Sequence, residues 1–256
     1  FIDLIHAPRA LWGVNLSYLL EGFVYFGMLM YLAMYFNDYV GLDDVWAGRM
    51  VGVLTAGITI SMFFLGGVAD KWGVRFALIA AFTFLLGGRV LLAAGPTIGL
   101  GAGGMWSPLH LMAMAGILLI VIGYGMYQPA AYATVRQVTT EKTAAMGFAM
   151  LYALMNLGGW LPTFFSPIRR AVGISGAYWV YCGFTVTALL VVFVILTRKT
   201  VSRAIADAKA QRELDKQAKN DAEDDSSASE PAAQTSEVTE GRKRVPIHLW
   251  VSILVL

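Results

Sequence analysis

Six stretches of about 20 or more mostly apolar residues follow one another through roughly the first 200 positions, and that succession leaves the chain few ways to fold. A helix that crosses a hydrocarbon core of roughly 30 Å needs about 20 such residues. Only a helix satisfies its own backbone within one segment where no water is available. The stretches run from about Leu11 to Phe36, Val45 to Val68, Val74 to Gly95, Leu109 to Val135, Ala144 to Phe165 and Ala177 to Thr197. Turn formers and charges collect between them, at Asn37 to Asp44, Ala69 to Gly73, Pro96 to Pro108, Gln137 to Thr143 and Ser166 to Gly176. The expectation is an all-α membrane protein whose residues 1–197 form a bundle of six transmembrane helices.

The charges are placed accordingly. Ten of the 19 Lys and Arg and ten of the 17 Asp and Glu lie between Arg198 and Val245, so the remainder has a membrane composition. That segment, 198–245, is read as a charged and largely flexible cytoplasmic linker, with Ala204 to Ala218 able to form a solvated helix. Pro246 to Leu256 then reads as the start of a seventh helix, cut short by the end of the sequence, and Phe1 in place of a methionine points to truncation at the other end too. Six helices, a linker and further helices are the layout of two six-helix halves. The first stretch is too long for a signal-peptide core and is read as a retained helix.

Basic residues in short loops favour the cytoplasmic side. An inside N-terminus puts Arg9, Lys71, Arg75, Arg136, Lys142, Arg198 and Lys199 there, against Arg49, Arg169 and Arg170 outside. The reading is a multi-pass protein of the cell (inner) membrane with N-terminus and linker cytoplasmic. Several functions fall away. The formal net charge of +2 gives no field for nucleic acid, and Cys182 alone excludes an internal disulfide. His6, His110 and His248 stand far apart with no HExxH pair, so no metal is expected. The glycine-rich pieces 57–67 and 99–104 lack a following GK[ST], so they are packing sites rather than nucleotide loops, and no cofactor is implied.

Ionisable groups inside spans cost several kcal/mol or more and mark function by default. Glu21 lies about ten residues into the first helix, roughly 15 Å deep at 1.5 Å per residue. Asn15, Tyr18 and Tyr25 share its face at spacings of three and four. The carboxyl is a candidate proton carrier, and the alternative is a structural hydrogen-bonding group. A second stripe runs through Tyr124, Gln128, Tyr132 and Arg136, with Tyr127 beside it and Pro129 as a possible bend. Tyr152, Asn156 and Trp160 make a third. These stripes read either as the lining of one cavity or as interhelical glue. Arg89, about 9 Å from the outer end of its helix, is read first as snorkelling to the surface and second as paired with a carboxylate.

The loop Gly66-Gly67-Val68-Ala69-Asp70-Lys71-Trp72-Gly73-Val74-Arg75 resembles the signature between helices two and three of the major facilitator superfamily, G-x-x-x-D-[RK]-x-G-x-[RK]. The resemblance implies the major facilitator fold, with this chain as the N-terminal half, and a gating role for Asp70, Lys71 and Arg75 at the cytoplasmic side. A finer resemblance is to the proton-dependent oligopeptide transporter family. That family has E-x-x-E-R-F-x-Y-Y-G in helix one, where this chain has Glu21-Gly22-Phe23-Val24-Tyr25-Phe26-Gly27. Its G-x-G-x-x-K-P matches Gly123 to Pro129, and its F-Y-x-x-I-N-x-G is echoed by Leu151 to Gly158. The departures are Tyr18 at the first Glu, Gly22 at the Arg and Gln128 at the Lys.

The resemblance implies a secondary active transporter rather than an enzyme, one that carries di- or tripeptides with protons by alternating access. Glu21 would be the proton-coupling group, and Tyr18, Tyr25, Tyr124, Tyr127, Gln128 and Asn156 would line the substrate site. The implied partners are substrate, protons, lipid and a C-terminal half. Two alternatives stay open: the same fold moving another small solute or acting as an exporter, and a membrane subunit that transports nothing.

Overall fold

The computed structural model of the protein describes residues 8–228, which fall into two units that part between Leu214 and Asp215. The described residues form helices and no strand. Helix α1, Arg9–Tyr35, runs into a π-helical turn, Phe36–Val40. Helix α2, Asp44–Leu65, starts where the Asp43 carboxylate accepts the Trp46 N–H at 2.8 Å, satisfying a donor that has no partner within the helix. The charged loop expected at Ala69 to Gly73 is mostly a short helix, α3, Val68–Trp72. Helix α4 is Val74–Thr97 and α5 is Pro108–Val138. Ser107 caps α5 by accepting the His110 N–H at 3.2 Å, and Pro108 sits in the first turn, where a missing N–H has no partner to lose. Helix α6 is Glu141–Trp160, and a 3-10 turn, Leu161–Phe165, joins it to α7, Ser166–Ile195. Helix α8 is Arg198–Ala228.

Thr143 to Ile195 is one apolar run of 53 residues, which as a single helix would be about 80 Å long, far beyond a bilayer core. The packing divides it into two crossings. Along α1, Leu11, Gly22 and Phe26 meet Gly147, Met155 and Gly159 of α6 in the same order, so those helices are parallel. Gly13 and Gly27 meet Ile195 and Tyr181 of α7 in reverse order, so α7 is antiparallel. The chain turns back through the 3-10 segment and at Gly173, whose φ of 74° with ψ of −179° is open to glycine and strained for other residues. The expected break from Ser166 to Gly176 is thus largely helical, with its interruption concentrated in one residue.

Helices α1, α4, α5 and α7 enclose the centre, with α1 against α6 and α7, α4 against α5 and α7, and α2 against α5. Helices α4 and α5 cross at Gly88 and Gly116, where a Cβ on Gly88 would stand 2.4 Å from the Gly116 carbonyl oxygen. Small residues let backbones approach where lipid supplies no hydrophobic drive for association. By contrast α2 and α6 leave apolar faces open: Phe63 is 84% exposed, and Ile60, Phe64, Tyr152, Leu157 and Trp160 are also exposed. Such faces suit lipid or another helical body.

The solvated helix expected over Ala204 to Ala218 is a longer one with a buried face. Val201, Ala204 and Ala208 recur every three or four residues and are buried against the bundle. Arg212 donates to the Arg136 and Thr139 carbonyls at the end of α5, where a cation meets the negative end of a helix. The rest of the linker and the expected seventh helix, 229–256, lie outside the described residues.

Candidate functional site

Glu21 and Arg89 are both buried, at 0% and 1% exposure, and they face each other across the centre of the bundle. Arg89 Nη1 donates to Glu21 Oε2 at 2.9 Å while Nη2 donates to Oε1, a bidentate pair. The Tyr124 hydroxyl donates to the same Oε1 and accepts from Arg89 Nη2 at 3.1 Å. Arg89 Nη1 also donates to Thr185 Oγ1 at 2.6 Å, whose own proton goes to the Tyr181 carbonyl at 2.8 Å. One cluster therefore ties α1, α4, α5 and α7 together. Arg89 does not snorkel: its guanidinium is held inward by a carboxylate, the second of the two readings made from sequence.

Glu21 accepts three hydrogen bonds and donates none, and Tyr124 and Thr185 use their oxygens toward the guanidinium. Two ions taken out of water are tolerable only when each compensates the other with good geometry. Arg89 Nε remains without a hydrogen-bond partner among the described residues, as do both amide atoms of buried Asn15.

Of the six expected substrate contacts, five gather on the α1–α5 seam. Tyr25 meets the Tyr124 ring edge to face at 5.0 Å, and Tyr18 stacks on Tyr127 at 5.7 Å. The Tyr18 hydroxyl donates to Gln128 Oε1 at 3.0 Å. Along α5 the polar stripe passes from buried Tyr124 through half-buried Gln128 to Tyr132, 41% exposed, and exposed Arg136. It ends in a cavity of about 290 Å³ lined by Gly66, Asp70, Pro129, Tyr132, Arg136 and Phe148. Asn156 is apart from this group. It lies on the exposed face of α6, with its amide donating to the Tyr152 carbonyl at 2.8 Å.

The three expected gating residues separate. Asp70 lines the cavity just described, and Lys71 lies over the neighbouring Trp72 ring at 5.6 Å. Arg75 turns the other way: its Nε donates to the Leu196 carbonyl at 2.7 Å and its guanidinium lies 5.4 Å from the Phe193 ring, so it holds the end of α7. Thr185 escaped sequence reasoning altogether, as threonine is unremarkable in a membrane helix. Arg89 carried a usable signal, since one acid and one base deep in separate spans each need a partner. Among the described residues no group of three or more metal-ligating side chains occurs.

No family model matches the chain. It is 24% identical over 173 residues to solute carrier family 15 member 1 of Rattus norvegicus, a match that covers 64% of this chain and 24% of the rat protein. Among solved structures it resembles the peptide transporter POT in complex with sulfate, at 22% identity and a TM-score of 0.64, covering 75% of this chain and 38% of that one. It also resembles a bacterial homologue of the human drug peptide transporters PepT1 and PepT2, at 21% identity and a TM-score of 0.64, over 80% of this chain and 48% of that one. The chain thus spans about a quarter of the rat carrier's length and under half of these solved transporters'. The expectation of an all-α bundle of membrane-length helices holds among the described residues, and over the aligned residues the chain shares its fold with these solved transporters.

Proposed function

We propose that the chain is the N-terminal half of a proton-coupled secondary transporter that carries small peptides by rocking of two halves around a midplane site. Localisation in a cell (inner) membrane with α3 and α8 on the cytoplasmic side belongs to this reading, since Lys71, Arg75, Arg136, Arg198 and Lys199 gather at that end. The observation that carries it is the buried Glu21–Arg89 pair, a titratable carboxylate at mid-membrane in a chain with the fold of peptide transporters. Protonating Glu21 removes the compensation of a buried guanidinium, so the proton and the position of Arg89 are coupled. Once released, Arg89 is a cation available to a carboxylate from substrate or from the other half. The α1 and α5 positions where the resembling family carries Arg and Lys are Gly22 and Gln128, and Arg89 supplies a guanidinium from α4 instead. Tyr18, Tyr25, Tyr124, Tyr127 and Gln128 line the substrate site along the seam, Tyr25 and Gln128 partly exposed and the other three buried, and Asp70 takes part in closing the cytoplasmic side.

The test is uptake of a labelled dipeptide into liposomes holding the full-length protein, with and without an inward proton gradient. Glu21→Gln should abolish gradient-driven uptake and spare counterflow exchange. Full gradient-driven uptake in that variant would remove Glu21 from the coupling step, and no dipeptide uptake by folded protein would point to another solute or to export. A second reading rests on the closure of the pair itself: bidentate, tied to Tyr124 and Thr185 and buried within one half, it is a permanent strut. In that case Glu21→Gln impairs driven uptake and exchange alike.

A further inference from the structure

We propose that the groove between α3, α4 and α8 is a binding site for the headgroup of an anionic phospholipid, independent of what the protein transports. The groove has a volume of about 490 Å³ and is lined by Trp72, Arg75, Phe76, Gln137, Arg198 and Ser202 among others, with no carboxylate in its wall. Arg75 is fixed there by its bond to the Leu196 carbonyl and its approach to the Phe193 ring. Lys71 and Lys199, next to Trp72 and Arg198 in sequence, are exposed.

The depth is that of a membrane interface, because the groove lies where α4 begins and α7 ends. Trp72 and Phe76, 58% and 50% exposed, meet edge to face at 5.2 Å, in the position where amphipathic aromatic rings sit among headgroups. Exposed Phe193 and Val194 continue the apolar surface toward the membrane centre, a wall for acyl chains. Charge completes the case. Arg198, Lys199 and Arg203 crowd the first two turns of α8, the positive end of the helix, where basic residues are unfavourable without a compensating anion. A phosphate held between Arg75 and Arg198 supplies that compensation while its chains stay in the bilayer.

The full chain is reconstituted into phosphatidylcholine vesicles containing either phosphatidylglycerol or phosphatidylcholine with brominated acyl chains. Quenching of Trp72 is isolated by subtracting the signal of Trp72→Phe. Phosphatidylglycerol should quench Trp72 at a several-fold lower mole fraction than phosphatidylcholine. Arg198→Gln should reduce that preference about fivefold, the usual worth of one basic residue at an anionic surface, and Arg198→Lys should retain most of it. Equal quenching by the two lipids, or an unchanged preference in Arg198→Gln, overturns the proposal. Displacement of the lipid by millimolar glycerol 1-phosphate also overturns it, as the site would then be one for a soluble phosphate.

Discussion

Removing one member of the Glu21–Arg89 pair leaves the other as a buried charge with no counter-ion, and the geometry sets the size of the effect. Arg89→Gln takes away two of the three hydrogen bonds that Glu21 accepts and leaves only that from Tyr124. Breaking a buried pair by removing one partner costs about 3–5 kcal/mol. At roughly 2–4 °C per kcal/mol for a chain of this size, the melting temperature should fall by some 6–20 °C. Glu21→Gln should have a comparable effect, for it strands a guanidinium held otherwise by Tyr124 and Thr185. The double variant carries two neutral amides and no stranded charge. It should be more stable than the sum of the single losses by about 2–3 kcal/mol, the upper range for residues in direct contact. Thermal unfolding of the four proteins in one detergent measures this. Additive losses, or single variants within about 1 kcal/mol of the parent, would refute the claim that the two charges compensate each other.

Two further outcomes follow from the same geometry. Thr185→Val removes an acceptor from Arg89 Nη1 while keeping the side-chain volume, and should cost about 1.5–3 kcal/mol, the value of a hydrogen bond to a charged group; an unchanged melting temperature would show that the Thr185 contact contributes nothing. Gly88→Val places carbon where the Gly116 carbonyl already stands at 2.4 Å from a Cβ, so α4 and α5 must separate. The yield of folded, monodisperse protein should drop sharply on size exclusion, whereas Gly87→Ala, with its nearest neighbour at 3.6 Å, should be tolerated.

Much of the side-chain cluster that makes up the candidate site was legible in the sequence, and its connections were not. Glu21 stood out because a lone carboxylate in an apolar span needs a reason, and Tyr18, Tyr25, Tyr124 and Gln128 followed from helical spacing. Spacing ranks residues on one helix but gives no rotation of that helix against its neighbours. Asn156 met the same criterion as Tyr124, yet it lies on the open face of α6 while Tyr124 is sealed in the centre. Arg75 fitted a loop motif, but its guanidinium is taken by the end of α7, a partner 121 positions away.

The sequence by itself determined that this chain crosses a membrane, where its helices run and which charges are anomalous, because those properties follow from the cost of moving each residue from water to hydrocarbon. Only the tertiary structure decided that Arg89 turns inward to Glu21 rather than outward to the surface. It also decided that Arg75 turns to the Leu196 carbonyl at the end of α7. Both outcomes depend on which group from another helix arrives at the same depth, a matter of packing between segments far apart in the chain.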